Sequence, residues 1–336
     1  MNLEQLRSFV EVARFGNFTR AAEERYLAQP SLSRQIAALE HDLGAELFHR
    51  SRGRSSLTVA GESLLPLARR MLADAESVRR ELAELAGLER GRVRLGATPT
   101  LCISLVAEVL SAFHAEHPAI ELHLSEHGSR RLLDELASGE LDLALVTTSD
   151  AAATERFTVT PLLVEELVLI SSAGAPPVSP RDTISLGEVA ALPQIAFSSS
   201  YDLRNTTDAA FRAAGLTPVV VLEGAEMDAV LRFVERDLGV AIVPAMVLID
   251  RPGLRSVRLE VSTAGASEAG ASKPGLSKPG VSKTDGSALS RTISLARPAD
   301  VAPTTAVETM RRTISQSASA FASRAGATMR IARSED

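Results

Sequence analysis

The chain has 336 residues, a formal net charge of −6, 45% hydrophobic and 23% charged residues, and one cysteine, Cys102. That length accommodates two or three domains of ordinary globular composition, and a lone cysteine excludes an internal disulfide framework or a cysteine-rich zinc site. The acidic balance speaks against non-specific polyanion binding but leaves room for a small basic surface, since phosphate attraction is screened over about 10 Å.

The opening stretch, MNLEQLRSFVEVARFG, lacks the basic-then-apolar pattern of a secretory leader. No apolar run approaches the roughly 18 residues a membrane helix needs. A cytoplasmic protein without membrane association is expected.

Leu3, Leu6, Phe9, Val10 and Ala13 share one helical face, and Gly16 is placed to end that helix. Thr19 can cap a second helix, with Ala21, Ala22 and Tyr26 turned inward. A third helix is expected from Gln29 to Leu43, because Leu32, Ile36, Leu39 and Leu43 recur at helical spacing and Gly44 supplies a stop. Ser31, Ser33, Arg34 and Gln35 then face outward near its amino-terminal end.

A helix pair of this kind suits a helix-turn-helix, whose second helix enters the major groove with its first turns against base edges. Gln and Arg offer bidentate patterns for adenine and guanine, and Ser is short enough to reach a base or a phosphate. The helix alone is equally compatible with a solvated polar face. The next stretch, LFHRSRGRSSLTVAGE, reads as two short strands about a turn at Gly53. Its Arg50, Arg52 and Arg54 suit a phosphate or minor-groove contact, the alternative being solvated loop arginines.

From about Val59 to Ala86 the longest helical stretch carries Leu64, Ala68, Met71, Ala75, Val78, Leu82 and Leu85 at alternating spacings of four and three, a heptad seam. Such a seam faces a partner helix; packing on its own chain is the alternative. Pro66, which lacks an amide donor, predicts a kink or a late start.

Beyond LERGRVRLGATPT the pattern changes. RVRLGA, IELHLSE and LDLALVT read as buried strands, separated by helical LCISLVAEVLSAFHAEHP and SRRLLDELASGE, which implies a parallel sheet. A second set follows: ELVLIS, QIAFS, a helix near Arg204 to Ala214, PVVVLEG, a helix near Met227 to Arg236, and GVAIVPA. Two α/β lobes joined by crossing strands are expected.

Ligands in such sheets bind where strand ends meet helix starts. Thr98 and Thr100 precede a helix, Ser129 begins one, Thr147 and Thr148 follow the third strand, and Ser198, Ser199 and Tyr201 follow IAF. Hydroxyls beside helix amino termini suit a small anion. Taken singly, each is equally an ordinary cap. Cys102 has no second cysteine to resolve a sulfenic acid and reads as an inert small hydrophobe. His114, His117, His123 and His127 lack partners at metal-ligand spacing and read as structural or solvated.

Residues 262–290 repeat G-x-S-K-P with a period of five and hold every lysine in the chain, Lys273, Lys278 and Lys283. So little bulky apolar surface predicts a disordered insertion between LRSVRLEV and RTISLARP. Val307, Met310, Ile314, Ala318 and Phe321 then mark an amphipathic helix packed back on the first lobe, and the last residues read as frayed.

The run FTRAAEERYLAQPSLSRQIAALEHDLGAELFHRSRGRSSLTVAGE, with the opening LEQLRSFVEVARFGN, closely resembles the winged helix-turn-helix of LysR-type transcriptional regulators. The likeness spans some sixty residues. It implies an α/β chain with an all-helical winged helix-turn-helix DNA-binding domain at residues 1–58. A linker and dimerisation helix follows at 59–88. A two-lobed periplasmic-binding-protein-like effector domain occupies 91–325, with lobe 1 at about 91–161 and 291–325 and lobe 2 at about 162–261.

By the same resemblance Gln29, Ser33 and Arg34 contact DNA from the recognition helix, Thr19 contacts a phosphate, Arg50 to Arg54 form the wing, and Thr100 and Ser129 are the best-matched effector positions. The implied partners are an inverted-repeat operator in duplex DNA, a second copy of the chain, with dimers pairing into tetramers as the family commonly does, and a small-molecule effector, without a cofactor. Where the family usually has Ser or Thr as recognition-helix cap, this chain has Ala28.

Two other classes are weaker. An enzyme would show a nucleotide-cradling glycine loop, a nucleophile elbow or a metal-ligand set, and none is present in the sequence. A ligand-free DNA-bending protein would not need the clustered hydroxyls.

Overall fold

The computed structural model describes residues 1–51, 54–85, 91–147, 156–198, 201–249, 251–260, 289–325 and 328–332. Two compact units partition the chain: residues 1–91 together with 134–142, and residues 92–133 together with 143–336.

In the first unit, α1 (Leu3–Phe15) starts at Asn2, whose side chain accepts from the Gln5 amide while Gln5 reaches back to the Asn2 amide. It ends at Gly16 in the left-handed conformation. Helix α2 (Phe18–Glu24) is capped by Asn17, not by Thr19: Asn17 Oδ1 accepts from the Arg20 amide at 3.0 Å, which leaves Thr19 inside the first turn and exposed. Helix α3 (Gln29–Leu43) begins at Ala28 without a side-chain cap and ends at left-handed Gly44. Strands β1 (Phe48–Ser51) and β2 (Arg54–Leu57) pair as an antiparallel hairpin, and α4 (Val59–Leu85) follows.

Leu6, Phe9, Val12, Leu32, Ile36 and Leu39 are fully buried together, with the Phe9 and Phe48 rings 5.4 Å apart. Each such side chain contributes about 1.5–3 kcal/mol by leaving water. Three inward or outward expectations fail. Tyr26 is 97% exposed, because the turn from α2 to α3 forces its backbone to φ 53° and swings the ring out. Leu43, in the last turn of α3, is exposed. Gln35 points inward rather than outward: the fully buried Ser8 hydroxyl donates to Gln35 Oε1.

Helix α4 begins at Val59, before Pro66 rather than after it, so the Glu62 carbonyl has no amide to accept from at residue 66. The predicted seam divides. Ala68 is fully buried in its own unit's core, and Leu64, Leu65 and Leu72 pack against that core. Leu67, Met71, Val78 and Leu82 are 55%, 37%, 56% and 62% exposed. Ala68 therefore does not belong to an outward face, because the first turns of α4 lie on α1. The Leu85 side chain lies outside the described residues.

The second unit starts with β3 (Arg92–Ala97). The short α5 (Pro99–Leu101) runs through a π-helical segment (Cys102–Val106) into α6 (Ala107–Glu116). Strand β4 (Glu121–Glu126), α7 (Ser129–Ala137) and β5 (Leu143–Val146) follow. Both β4 and β5 run parallel to β3. Strand β4 is a mostly exposed edge rather than a buried strand, since among the described residues only β3 pairs with it.

Strand β6 (Phe157–Ser172) pairs antiparallel with β12 (Ser290–Pro298) along its first part. Along its second part it pairs antiparallel with β10 (Ala241–Pro244) and β11 (Leu254–Glu260). The sheets are thus mixed, not purely parallel, because the chain crosses between lobes on strands that must run back against their neighbours. A register shift between Ile293 and Ser294 leaves Leu162 extra, next to Pro161, which has no amide for the ladder.

Strand β7 (Thr183–Ser185), α8 (Leu186–Ala190), β8 (Pro193–Phe197), α9 (Asp202–Ala213), β9 (Val219–Ala225) and α10 (Met227–Glu235) complete the second lobe. Strands β8 and β9 are parallel, and a bridge from Gln194 to Val240 joins them toward β10. Helix α11 (Thr305–Ala325) buries Met310, Ile314, Ala318 and Phe321. The end is not frayed throughout: β13 (Met329–Ile331) pairs with β6. The lysine-bearing segment lies outside the described residues up to 288, whereas Leu289 is buried and Ser290 opens β12.

Ala28→Ser adds an acceptor for the Ser31 amide at the start of α3. It is expected to stabilise the chain by about 0.5–2 kcal/mol, read as a higher denaturation midpoint. An unmoved midpoint would show that α3 needs no cap.

Candidate functional site

Helix α3 buries Leu32, Ile36 and Leu39 and leaves Gln29 and Arg34 exposed, with Ser31 and Ser33 half-buried beside them. These side chains are tied in two pairs: Gln29 Nε2 donates to Ser33 Oγ at 2.9 Å, and Arg34 donates to Ser31 Oγ and to the Pro30 carbonyl, each at 3.3 Å. Such solvent-facing bonds exchange readily for base or phosphate partners.

The opposite side of α3 is fixed by a network the sequence did not announce. Arg25 donates to Ser8 Oγ at 2.9 Å, to the Glu4 carbonyl at 3.1 Å and to Glu4 Oε2 at 2.6 Å. The Arg25 hydrogen bond holds the Glu4 carboxyl below its ordinary value. Through Ser8 this network reaches Gln35 and sets the rotation of α3. Arg52 lies outside the described residues, as do the side chains of Arg50 and Arg54; the strands that carry Arg50 and Arg54 pair with each other.

In the second unit, the carboxyl ends of β4, β3 and β5 lie side by side and deliver Thr98, Ser129 and Thr147 to one edge. Thr98, Thr100 and Ser129 are buried. Thr98 and Thr100 hydroxyls are 3.5 Å apart, and Ser129 Oγ is 3.3 Å from Thr147 Oγ1 and accepts from the Thr147 amide at 3.0 Å. From the second lobe, the carboxyl end of β8 brings Ser198 and Tyr201, with Tyr201 stacked on Phe197 at 5.4 Å and donating to Glu226. Burial, then the bond and charge of Glu226, push the Tyr201 phenol well up. Thr148 and Ser199 lie outside the described residues.

Sequence reasoning missed the charges here. Thr100 Oγ1 accepts from Arg291 Nη2 at 3.0 Å, and Arg291 Nε donates to Glu165 Oε2 at 2.9 Å. The other Glu165 oxygen accepts the Met246 amide at 2.7 Å. Glu165 is fully buried; burial pushes its carboxyl up, while Arg291 and the Met246 amide pull against that. Asp202 Oδ2 accepts the Ser129 amide at 3.0 Å. A first-turn acid such as Asp202 reads in sequence as an ordinary partner of its own helix dipole, which hides this role.

A separate depression of about 860 Å³ is lined by Ser104, Glu108, Arg232, Glu235, Arg251 and Phe321 among others. Its arginines are already paired, Arg232 with Glu235 at 3.1 Å and Arg251 with Asp228 at 3.2 Å.

A small helical unit with a polar recognition helix and a β-hairpin wing, followed by a two-lobed α/β unit with a hydroxyl-lined edge, defines a DNA-binding regulator with a ligand-binding module. Family comparisons agree with both halves. Residues 3–62 match the bacterial regulatory helix-turn-helix protein, lysR family, and residues 86–319 match the LysR substrate binding domain. The chain belongs to the LysR family of transcriptional regulators; it is a DNA-binding regulator, not an enzyme.

Among its relatives, the HTH-type transcriptional regulator YybE of Bacillus subtilis is 32% identical over 77% of this chain and 88% of YybE. A probable nitrogen assimilation transcriptional activator of Synechococcus elongatus is 32% identical over 74% of this chain and 81% of that protein. In fold, the chain is similar to a full-length OxyR variant from Pseudomonas aeruginosa, with TM-score 0.66, 22% identity and coverage of 94% of this chain and 98% of that one. It is also similar to CbnR, a LysR family transcriptional regulator, with TM-score 0.62, 21% identity and coverage of 95% and 99%. No helix among the described residues is long and apolar enough to cross a membrane.

Arg291→Met strands the buried Glu165 carboxyl and is expected to cost about 3–5 kcal/mol of unfolding free energy at neutral pH. Because the Glu165 value is raised in the folded chain, this group favours folding most at acidic pH and less as pH rises through the raised value. Removing Arg291 should steepen that decline, and adding Glu165→Gln should flatten it. Urea unfolding at several pH values reads both; a pH-independent loss of about 1 kcal/mol or less would show the pair to be dispensable.

Proposed function

We propose that this regulator binds an inverted-repeat operator as a homodimer, joined through the outward face of α4, and responds to a small anionic effector. One observation carries the dimer: α4 has two apolar faces, and its own unit covers only the one containing Ala68. The face bearing Met71, Val78 and Leu82, continued by Leu67 toward the amino-terminal end, is left for a second copy. Ala75 and Leu85 fall on the same predicted seam. Pairing places two α3 helices on successive major grooves, about 34 Å apart. A chain of net charge −6 then gains specificity from tethering rather than from bulk attraction.

The base-reading contacts are assigned to Gln29, Ser31, Ser33 and Arg34, a phosphate contact to Thr19, and wing contacts to Arg50, Arg52 and Arg54. Domain limits are set at 1–58, 59–88 and 91–325. Exposed Val219, Val220 and Val221 on β9, with Leu124 on β4 and Ile103, form further uncovered apolar surface and favour pairing of dimers into tetramers. A DNA-binding regulator of this kind works in the cytoplasm.

The effector seat is assigned to Thr98, Thr100, Ser129, Thr147, Ser198, Ser199 and Tyr201. Hydroxyls and the amino terminus of α7 supply hydrogen-bond donors to a carboxylate or similar anion.

Met71→Asp with Val78→Asp is expected to abolish both dimer and operator binding, measured by sedimentation and by gel shift with the chain's own promoter region; a stable dimer in that variant would remove the α4 interface. Thr100→Ala with Ser129→Ala should keep operator affinity and lose the response to pooled acidic metabolites in a reporter assay. Undiminished induction there would remove the seat.

A further inference from the structure

Ser129 opens α7, and an amide in the first turn of a helix has no acceptor within that helix. In this chain the Ser129 amide is taken by Asp202 Oδ2 at 3.0 Å. Asp202 is the first residue of α9 and follows β8 in the second lobe, whereas Ser129 follows β4 in the first. The bond therefore joins the carboxyl edges of two different sheets. A carboxylate from the chain already sits where the proposed effector would place its own.

We propose that Asp202 is a resident competitor for the effector seat: without ligand it fills the anion position at α7 and latches the two lobes together, and an entering carboxylate displaces it and releases α9. This rests on the anionic-effector reading of the same seat. One amide serves one carboxylate. Glu226 accepts from Tyr201, the residue before Asp202, and Glu126 acts electrostatically on the same phenol, so acidic side chains already surround that neighbour of Asp202. Two carboxylates crowded at one amide in such a place repel each other.

The competition also narrows the ligand class. A tethered carboxylate acts at an effective concentration on the order of millimolar. A simple monocarboxylate is a poor competitor against it. An acid with a second polar anchor, able to bond the Thr98 and Thr100 hydroxyls as well, is a better one.

The test uses the full-length chain as wild type, Asp202→Ala and Asp202→Asn, with folding checked by circular dichroism. Ligand-free hydrogen exchange at the Ser129 amide is expected to quicken by about tenfold or more in Asp202→Ala, with Asp202→Asn between. Acetate and succinate are then titrated while thermal unfolding is followed. Acetate should stabilise Asp202→Ala at about tenfold lower concentration than wild type, and succinate should narrow that gap. Equal exchange, or equal and measurable stabilisation of wild type and variants by the anions, overturns the competitor; wherever the anions stabilise, the anionic seat stands. If exchange quickens but neither anion stabilises any of the proteins, the competitor falls together with the anionic-effector reading.

Discussion

A single buried carboxylate is shared between the two lobes of the α/β unit. Glu165 lies on β6, the strand that runs through both sheets, and each of its oxygens serves a different neighbour. One holds the Met246 amide just after β10; the other holds Arg291 on β12, which in turn holds Thr100 at the head of α5. Taking such a charge out of water costs several kcal/mol, and only a complete set of partners offsets it. The arrangement therefore tolerates little slack: shifting Thr100, the crossing strands or the segment after β10 leaves part of the network unsatisfied. A seat built on Thr100 is thus coupled to the strands that set the lobes' relation.

The amino-terminal unit solves a different problem with the same chemistry. Helix α3 is held from behind while its front faces solvent. Apolar packing by Leu32, Ile36 and Leu39 fixes its distance from α1, and the Arg25, Glu4, Ser8 and Gln35 bonds fix its rotation. The front side chains Gln29, Ser31, Ser33 and Arg34 bond to each other and to the Pro30 carbonyl, in exposed contacts worth little. Firm support behind and loose pairing in front leave these side chains able to change partners without unsettling the unit.

Much of this was legible in the sequence because apolar periodicity reports burial directly. The bounds of α3, the hairpin, and the α/β alternation followed from spacing and glycine stops. Misreadings arose where spacing is blind to context. Tyr26 falls in phase with an inward face, but a left-handed backbone turns it out. The α4 heptads merged two faces, one covered by α1 and one open, because residues three and four apart look alike from sequence whichever side they serve. The hydroxyls at the sheet edge could be named from strand ends. Asp202, Glu165 and Arg291 could not, since their partners lie 73, 81 and 191 residues away in the chain.

Cys102, in the π-helical turn after Thr100, is half-buried, and burial with the nearby Glu126 charge pushes its thiol up to about 12. At neutral pH it stays in the unreactive thiol form. Maleimide dyes will therefore pass over the chain's one native sulfhydryl. A cysteine introduced on the exposed surface of α9 could be labelled alone, without first removing Cys102, and would give a fluorescent reporter of how that helix moves.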